Sequence, residues 1–129
     1  MIVVNDQMGL TEYIESERLI ISSYKGRVDH EASIAHLSAV IDFYKQHEVK
    51  AAIIDLREVF GSFFKIMEYL SDSFYPIALK SGLKAQAFVL TDDIIIKNLT
   101  KKLGIITSTF DVKSKTFATK EDAKKWLKD

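Results

Sequence analysis

Residues Lys50 to Gly61, KAAIIDLREVFG, decide the fold, because they have the pattern of a central strand in a sheet. The residues from Ala51 to Leu56 are apolar almost without alternation, which is typical of a strand covered on both faces. Asp55 falls near the carboxyl end of this strand. Ligands of open α/β sheets usually bind beyond the carboxyl ends of the strands, so Asp55, Arg57 and the segment after Gly61 are the first candidates for a site.

The composition is that of one ordinary domain. The chain has 129 residues, of which 47% are hydrophobic and 28% are charged, enough to bury a core. Eighteen basic residues balance eighteen acidic ones, so we predict no nucleic-acid partner and no attraction to an anionic membrane. The absence of cysteine excludes disulfides, thiolate nucleophiles and cysteine-based metal sites. The first residues resemble neither a signal peptide nor a membrane span, so we expect a cytoplasmic protein without membrane insertion.

Before the central strand, the sequence predicts a hairpin and a helix. Residues 1–9 have the pattern of a loose lead-in, and Leu10 to Ile14 with Arg18 to Lys25 form the two arms of a hairpin. Asp29 is placed to cap a helix that runs to about His47. The apolar stripe of this helix consists of Ile34, Leu37, Val40 or Ile41, and Tyr44.

After the central strand, helices and strands alternate. Ser62 can cap a second helix, which Pro76 should kink or break. The following elements are predicted as a strand at Lys84 to Thr91, a helix from Asp92 or Asp93 to Gly104, a strand at Val112 to Ala118, and a helix capped by Thr119. The order predicts a single α/β domain with a five-stranded mixed sheet, an N-terminal hairpin and about four helices mainly on one face.

Three stretches of the sequence look like parts of a known family. LIISSYKGRVDHE (19–31) looks like the family's strand that ends in Gly before an acidic helix start. IIDLREV (53–59) looks like the family's Asp-Leu-x-x-Val strand end. FATKEDAKKWLKD (117–129) looks like the family's closing Phe and capped helix. Together they resemble the SpoIIAA-like domains, relatives of the STAS domains of anti-sigma-factor antagonists and, more distantly, of lipid-binding SEC14-type modules. The resemblance implies one SpoIIAA-like domain over 1–129 that serves as a regulatory or interaction module, with a regulatory protein as partner.

The sequence departs from the STAS pattern at one site. In the phosphorylatable STAS antagonists, the strand end is followed by an Asp-Ser pair, and that Ser receives the phosphate. Here Val59 is followed by Phe60, Gly61 and Ser62. The phosphorylation site is therefore not carried over, and we expect Ser62 to be a helix cap.

No set of residues in the sequence predicts catalysis. His30, His36 and His47 are expected to be solvated helix residues, because their spacing does not suit a metal site. Asp55 and Arg57 form the best charged pair, but Asp55 at a strand end commonly accepts backbone donors in the turn. Glycine-rich phosphate loops and Gly-x-Ser-x-Gly are absent. We therefore predict no enzyme activity, no metal and no cofactor.

Aromatic residues are concentrated after the central strand. Six of them lie within sixteen residues: Phe60, Phe63, Phe64, Tyr69, Phe74 and Tyr75. One helix face cannot bury all six. Some must therefore line a groove, cover an apolar ligand or meet another subunit, unless core packing absorbs them.

Two interpretations of this aromatic surplus stay open. A lipid-like apolar molecule would need a closed pocket of roughly a few hundred Å³ between this segment and the sheet. A second subunit needs only an exposed face, and because the facing strand offers only Ala85 and Ala87 as small residues, a homodimer is the preferred prediction. The predicted ligand-binding or partner-binding residues are Asp55, Arg57, Phe60, Ser62, Phe63, Phe64 and Tyr75.

Overall fold

The protein is built on one mixed sheet whose six strands lie side by side in sequence order. The computed structural model describes residues 1–129. The strands are β1 (Ile2–Asp6), β2 (Gly9–Ile14), β3 (Leu19–Arg27), β4 (Ala51–Phe60), β5 (Ala85–Val89) and β6 (Lys113–Phe117). Strands β1 to β3 pair antiparallel, and β3 to β6 pair parallel.

Four helical segments cover the sheet, three of them on one face. They are α1 (His30–Tyr44), a segment made of α2 (Ile66–Tyr69), a π-helix (Leu70–Phe74) and α3 (Tyr75–Ser81), then α4 (Ile94–Ser108) and α5 (Lys120–Lys128). The larger apolar core lies between the sheet and the first three segments, and a smaller one lies under α5. The predicted α/β class, with the helices mainly on one face, is confirmed, and the sheet has one strand more than predicted.

The additional strand is β1, so residues 1–9 are not a loose lead-in. The turn after β1 is closed by Asp6, whose Oδ1 accepts a hydrogen bond from the Met8 amide at 2.9 Å. Gly9 follows with a φ of 152°, and a Cβ at this position would collide with the carbonyl oxygen of Ser23. The short apolar run of β1 shows no alternation, which is why its sequence did not predict a strand.

The central strand β4 continues four residues beyond the predicted Leu56. Ala51 to Asp55 pair with both β3 and β5, and after a register shift in β3 the residues Glu58 to Phe60 pair with β3 alone. Asp55 therefore marks the end of the pairing with β5, not the end of the strand. Along β4, Ala52 faces the larger core and Ile53 the smaller one.

Three predicted helix starts are confirmed. Asp29 accepts a hydrogen bond from the Ala32 amide, Asp93 accepts from two amides of the first turn of α4, and Thr119 accepts from Asp122. Ser62, in contrast, does not cap a helix. Its Oγ accepts from the Phe64 amide at 3.2 Å and closes a local turn, and α2 begins only at Ile66.

Two predicted helix interruptions differ from expectation. Pro76 lies in the first turn of α3, and the interruption expected there takes the form of the preceding π-helix. Gly104 does not end α4, which continues to Ser108. The reason is packing, since the buried Thr107 hydroxyl lies 3.0 Å from Ser114 Oγ and holds the last turn of the helix against β6.

Candidate functional site

The most distinctive feature of the interior is a cavity between the sheet and the helical segment after β4. Its volume is about 110 Å³, and 19 of its 22 lining residues are hydrophobic. Phe63, Leu70 and Phe74 line it from the helical side, and Ile20 and Ala52 line it from the sheet. The place is the one expected for an apolar ligand, although the volume is smaller than the few hundred Å³ expected for a lipid-like molecule.

The residues opposite the aromatic rings are not those that the sequence indicated. Ala87 lies in the smaller core on the other face of the sheet, while Gln86 and Phe88 of the same strand line the cavity. The small side chains that make room for the cavity are instead Ala52 of β4 and Ser22 of β3. The lack of small residues in β5, the reason for preferring a dimer, therefore does not argue against a cavity.

The cavity wall carries polar groups but no charged side chain. The Tyr75 hydroxyl donates to Gln86 Oε1 at 2.8 Å, and Gln86 Nε2 donates to Ser114 Oγ at 2.9 Å. Tyr44 also lines the cavity, is 3% exposed, and its hydroxyl makes no hydrogen bond within the protein. The wall thus offers one free phenol donor in apolar surroundings.

Three tyrosines at this wall have pKa values well above the ordinary value for a phenol. Burial raises the pKa of Tyr24 to about 12. Burial also raises the pKa values of Tyr44 and Tyr75 far above the ordinary value, and the other phenols nearby raise the pKa of Tyr44 further. All three phenols therefore stay protonated at neutral pH. Only the Tyr44 hydroxyl is free to donate into the cavity, because Tyr75 donates to Gln86 and Tyr24 lies within hydrogen-bonding reach of Ser22 and Thr11.

His36 is the functional group that the sequence prediction missed. It is not a solvated helix residue, because its side chain is 0% exposed. Its Nδ1 lies 2.9 Å from Asp6 Oδ1, and its Nε2 lies 2.8 Å from Thr11 Oγ1. The signal was present in the spacing, since His36 follows Ser33 by three residues and precedes Val40 by four, both of which are buried on the inner face of α1. His30, by comparison, is exposed, and His47 stacks on Phe43.

Asp55 and Arg57 lie on the opposite face of the sheet, near the start of α5. Arg57 donates to both carboxylate oxygens of Asp55, with distances of 3.0 and 2.8 Å, and its backbone amide donates at 3.0 Å. Lys120 Nζ lies 3.7 Å from Asp55 and donates to Ser23 Oγ at 3.0 Å. The expectation that Asp55 accepts a backbone donor in its turn is confirmed.

The charges of this cluster lower the pKa of Asp55. Burial alone would raise this pKa, but the hydrogen bonds and charge of Arg57, together with Lys120, outweigh burial and hold it below the ordinary value of 3.8. Because the pKa is lower in the folded protein, the stabilisation is complete above the ordinary value and is lost as the pH falls through the lowered one.

We expect Asp55→Asn to lower the free energy of unfolding by about 1 kcal/mol at neutral pH, because Arg57 is partly exposed and its ion pair is screened. The difference from the wild type should disappear as the pH falls below 3.8 and through the lowered pKa of Asp55. Urea unfolding over a series of pH values measures it. Asp92→Asn, at a fully exposed ion pair with Lys97, is the control and should have almost no effect. A loss that stays constant down to acid pH would contradict the assigned role of the charge.

The remaining predicted residues lie at the surface. Phe60 at the end of β4 is 50% exposed, and Phe64 is 56% exposed. Phe64 and Ile105 of α4 line an open outer groove, where Lys102 Nζ lies 5.8 Å from the centre of the Phe64 ring. Ser62 is exposed beside this groove. Six of the seven predicted residues therefore occupy three separate places: the cavity, the charged cluster under α5 and this outer groove. Phe60 lines neither the cavity nor the groove.

Comparison with solved structures identifies the architecture. The crystal structure of an uncharacterized protein of the DUF3478 family from Shewanella loihica PV-4, described as having a SpoIIAA-like fold, is similar to this chain with a TM-score of 0.52. The match covers 98% of this chain and 92% of that one, at 20% sequence identity. This chain has a SpoIIAA-like fold. No protein-family model matches the sequence, and no curated protein matches it significantly.

The SpoIIAA-like fold explains where the predicted elements lie, and it assigns no chemistry to them, because a likeness at this level of identity concerns architecture alone. In this SpoIIAA-like chain no three His, Asp or Glu side chains lie close enough together to hold a metal ion. None of its helices is both long enough and apolar enough to cross a bilayer. The cavity and the groups that line it are therefore the features of this chain from which a function can be inferred.

Proposed function

We propose that this SpoIIAA-like domain is a non-catalytic module that binds a small, uncharged and mostly apolar molecule in its interior cavity. The observation that carries the proposal is the cavity itself, about 110 Å³ in volume, apolar, and positioned between the aromatic segment and the sheet. A ligand carrier or sensor was the alternative expected from the aromatic surplus. The lining by Phe63 and Tyr75, two of the predicted binding residues, supports it.

The energetics of packing support a use for this space. Protein interiors are as dense as organic crystals, and voids larger than a water molecule are few. A cavity of 110 Å³ lowers stability by on the order of 2 to 3 kcal/mol when it stays empty. That is a large part of the net stability of a small domain, and a bound apolar molecule would restore the lost contacts.

The wall also limits the chemistry of the ligand. No Asp, Glu, Lys, Arg or His side chain lines the cavity, so a charged ligand would lose its hydration without gaining a counter-charge. The size limits it further, since an engineered cavity that binds benzene has a volume of about 150 Å³ and this cavity is smaller, at about 110 Å³. The ligand is therefore at most a single compact ring or a short branched chain, and a long acyl chain does not fit.

The polar groups behind the wall support binding over catalysis. Asp6, His36 and Thr11 follow one another in the order of an acid, a base and a hydroxyl nucleophile, but neither His36 nor Thr11 lines the cavity, and both are fully buried. A nucleophile must reach the reacting atom of its substrate. Thr11 cannot do so in this arrangement.

Titration of the labelled protein with toluene, followed by methyl NMR, tests the proposal. We expect saturable shifts that are confined to methyl groups of the cavity wall, such as those of Ile20, Val40 and Leu70. Benzoate, a charged molecule of similar shape, is the control and should cause no such shifts. Shifts that are spread over the surface, or equal effects of toluene and benzoate, would exclude the cavity as the site.

A second function, self-association, is favoured by the outer groove. Phe60 and Phe64 are half-exposed, and Ile105 beside Phe64 is 65% exposed. Exposed aromatic and aliphatic side chains of this kind are enriched at subunit interfaces. A second copy of the chain would cover them, and fully burying one Phe would contribute roughly 1.5 to 3 kcal/mol.

We expect the wild type to sediment as a dimer at micromolar concentrations and Phe64→Ser to shift it to the monomer, because the variant loses an apolar contact at the interface. Leu79→Ser is the control, since Leu79 is an exposed apolar residue of α3 that does not line the groove. A monomeric wild type, or a dimer that is indifferent to Phe64→Ser, would rule out this interface.

A further inference from the structure

A continuous chain of hydrogen bonds connects the surface to the cavity wall. It begins at Asp6 of β1, passes through His36 of α1 and Thr11 of β2, and ends at Ser22 of β3. The successive distances are 2.9 Å from Asp6 Oδ1 to Nδ1, 2.8 Å from Nε2 to Thr11 Oγ1, and 2.8 Å from Thr11 Oγ1 to Ser22 Oγ. Ser22 lines the cavity, whereas His36 and Thr11 lie behind it.

The first member of the chain fixes its direction. Burial would raise the pKa of Asp6, but the hydrogen bonds from His36 and from the Met8 amide outweigh burial and lower it. The carboxylate is therefore ionised at neutral pH and can only accept, so Nδ1 carries a hydrogen. In a neutral imidazole the other nitrogen, Nε2, is then an acceptor.

Each hydroxyl in the chain has one hydrogen to give. If Thr11 donates to Nε2, its hydrogen is used, and the contact with Ser22 can form only when Ser22 donates to Thr11 Oγ1. The hydrogen of Ser22 is then used within the chain, and Ser22 keeps lone pairs that can accept a hydrogen bond from the nearby Tyr24 hydroxyl and from a ligand. A proton on Nε2 would reverse every bond and would leave Ser22 free to donate.

We propose that Asp6, His36 and Thr11 are positioning residues that hold Ser22 as a hydrogen-bond acceptor in the cavity wall, so that the ligand is an uncharged apolar molecule carrying a hydroxyl or N–H donor. The inference rests on the proposed binding function and narrows its ligand class. A purely apolar molecule leaves the acceptor of Ser22 unused. At Ser22 a molecule with only a carbonyl meets lone pairs that repel it, so its oxygen can be bound only by another donor of the wall, the Tyr44 hydroxyl.

Competition between two probes of similar size tests the role of the chain. Phenol carries a donor, and benzaldehyde carries only an acceptor. We expect the wild type to prefer phenol, and Thr11→Val to raise the affinity for benzaldehyde relative to phenol by roughly tenfold, because the freed Ser22 hydroxyl can then donate. Thr100→Val is the matched control, since Thr100 is buried, its hydroxyl has no partner and it does not line the cavity.

The ratio of the two affinities separates positioning from simple structural support. If Thr11 had a merely structural role, Thr11→Val would weaken the binding of both probes alike and the ratio of their affinities would stay unchanged. An unchanged ratio would therefore overturn the proposal. A change of the same size in Thr100→Val would overturn it as well, because the effect would then be general.

A measurement that needs no ligand keeps the inference independent of probe binding. Nitrogen-15 NMR of the His36 ring, under the conditions of the binding titrations, should find the hydrogen on Nδ1 and none on Nε2. A hydrogen on Nε2 would overturn the relay and leave cavity binding intact. The expected ring state together with no binding of toluene, phenol or benzaldehyde would instead overturn the proposed function, and the ligand class inferred here with it.

Discussion

Ala52→Ile should abolish toluene binding while keeping or raising the thermal stability of the protein. Ala52 lies in the middle of the sheet wall, with Ile20 and Gln86 paired beside it on the neighbouring strands, and all three line the cavity. The added side chain occupies the space that the ligand needs, and Ile is well suited to a strand. We expect the affinity for toluene to fall by roughly a hundredfold or more, because a filled site excludes the ring and the lost contacts are worth about 3 kcal/mol.

The same substitution on the other face of the sheet is a matched control. Ala87 in β5 is completely buried in the smaller core, together with Ala123 of α5, and it does not line the cavity. Ala87→Ile should therefore overpack this core and lower the free energy of unfolding by about 1 to 3 kcal/mol, with toluene binding retained. Thermal unfolding and a toluene titration of both variants measure the contrast. If Ala52→Ile destabilises as much as Ala87→Ile, the space beside Ala52 is not available.

The second large effect is expected at His36. His36→Ala should lower the free energy of unfolding by about 3 kcal/mol or more, because it leaves a void and deprives Thr11 and Asp6 of their hydrogen-bond partner. Urea unfolding at neutral pH measures the loss. His30→Ala, at an exposed position on the same helix, should change stability by less than about 0.5 kcal/mol. Equal effects of the two substitutions would contradict the buried network.

The elements with strong local patterns were predictable from the sequence. The apolar run of β4, the stripe of α1 and the side-chain caps Asp29 and Thr119 all act through their immediate neighbours, and the structure confirms them. Strand β1 and the continuation of α4 past Gly104 were not predictable in this way. Neither follows from the residues of the element alone, because β1 is held by its pairing with the next strand, β2, and the end of α4 by the contact of Thr107 with Ser114 of β6.

The candidate site was only partly predictable. The aromatic surplus after β4 indicated where a cavity lies, and Phe63 and Tyr75 line it. The sequence did not indicate which residue leaves the space, because the apolar run of β4 covers both faces of the strand, and only the alternation along it turns Ala52 toward the cavity. The burial of His36 was not predictable from its residue type, since a histidine on a helix is commonly solvated; only its spacing from Val40 places it on the inner face of α1.

Diffraction from crystals held under xenon pressure shows whether the cavity can take up a ligand, since xenon enters apolar cavities without needing any specific contact. We expect an anomalous peak inside the protein, bounded by Ala52, Phe63 and Phe74, that is absent in Ala52→Ile crystals. The opposite result is a cavity that excludes xenon, filled by reoriented side chains or ordered water, with peaks only at the surface near Phe64. That result would contradict a binding function for the interior of this domain.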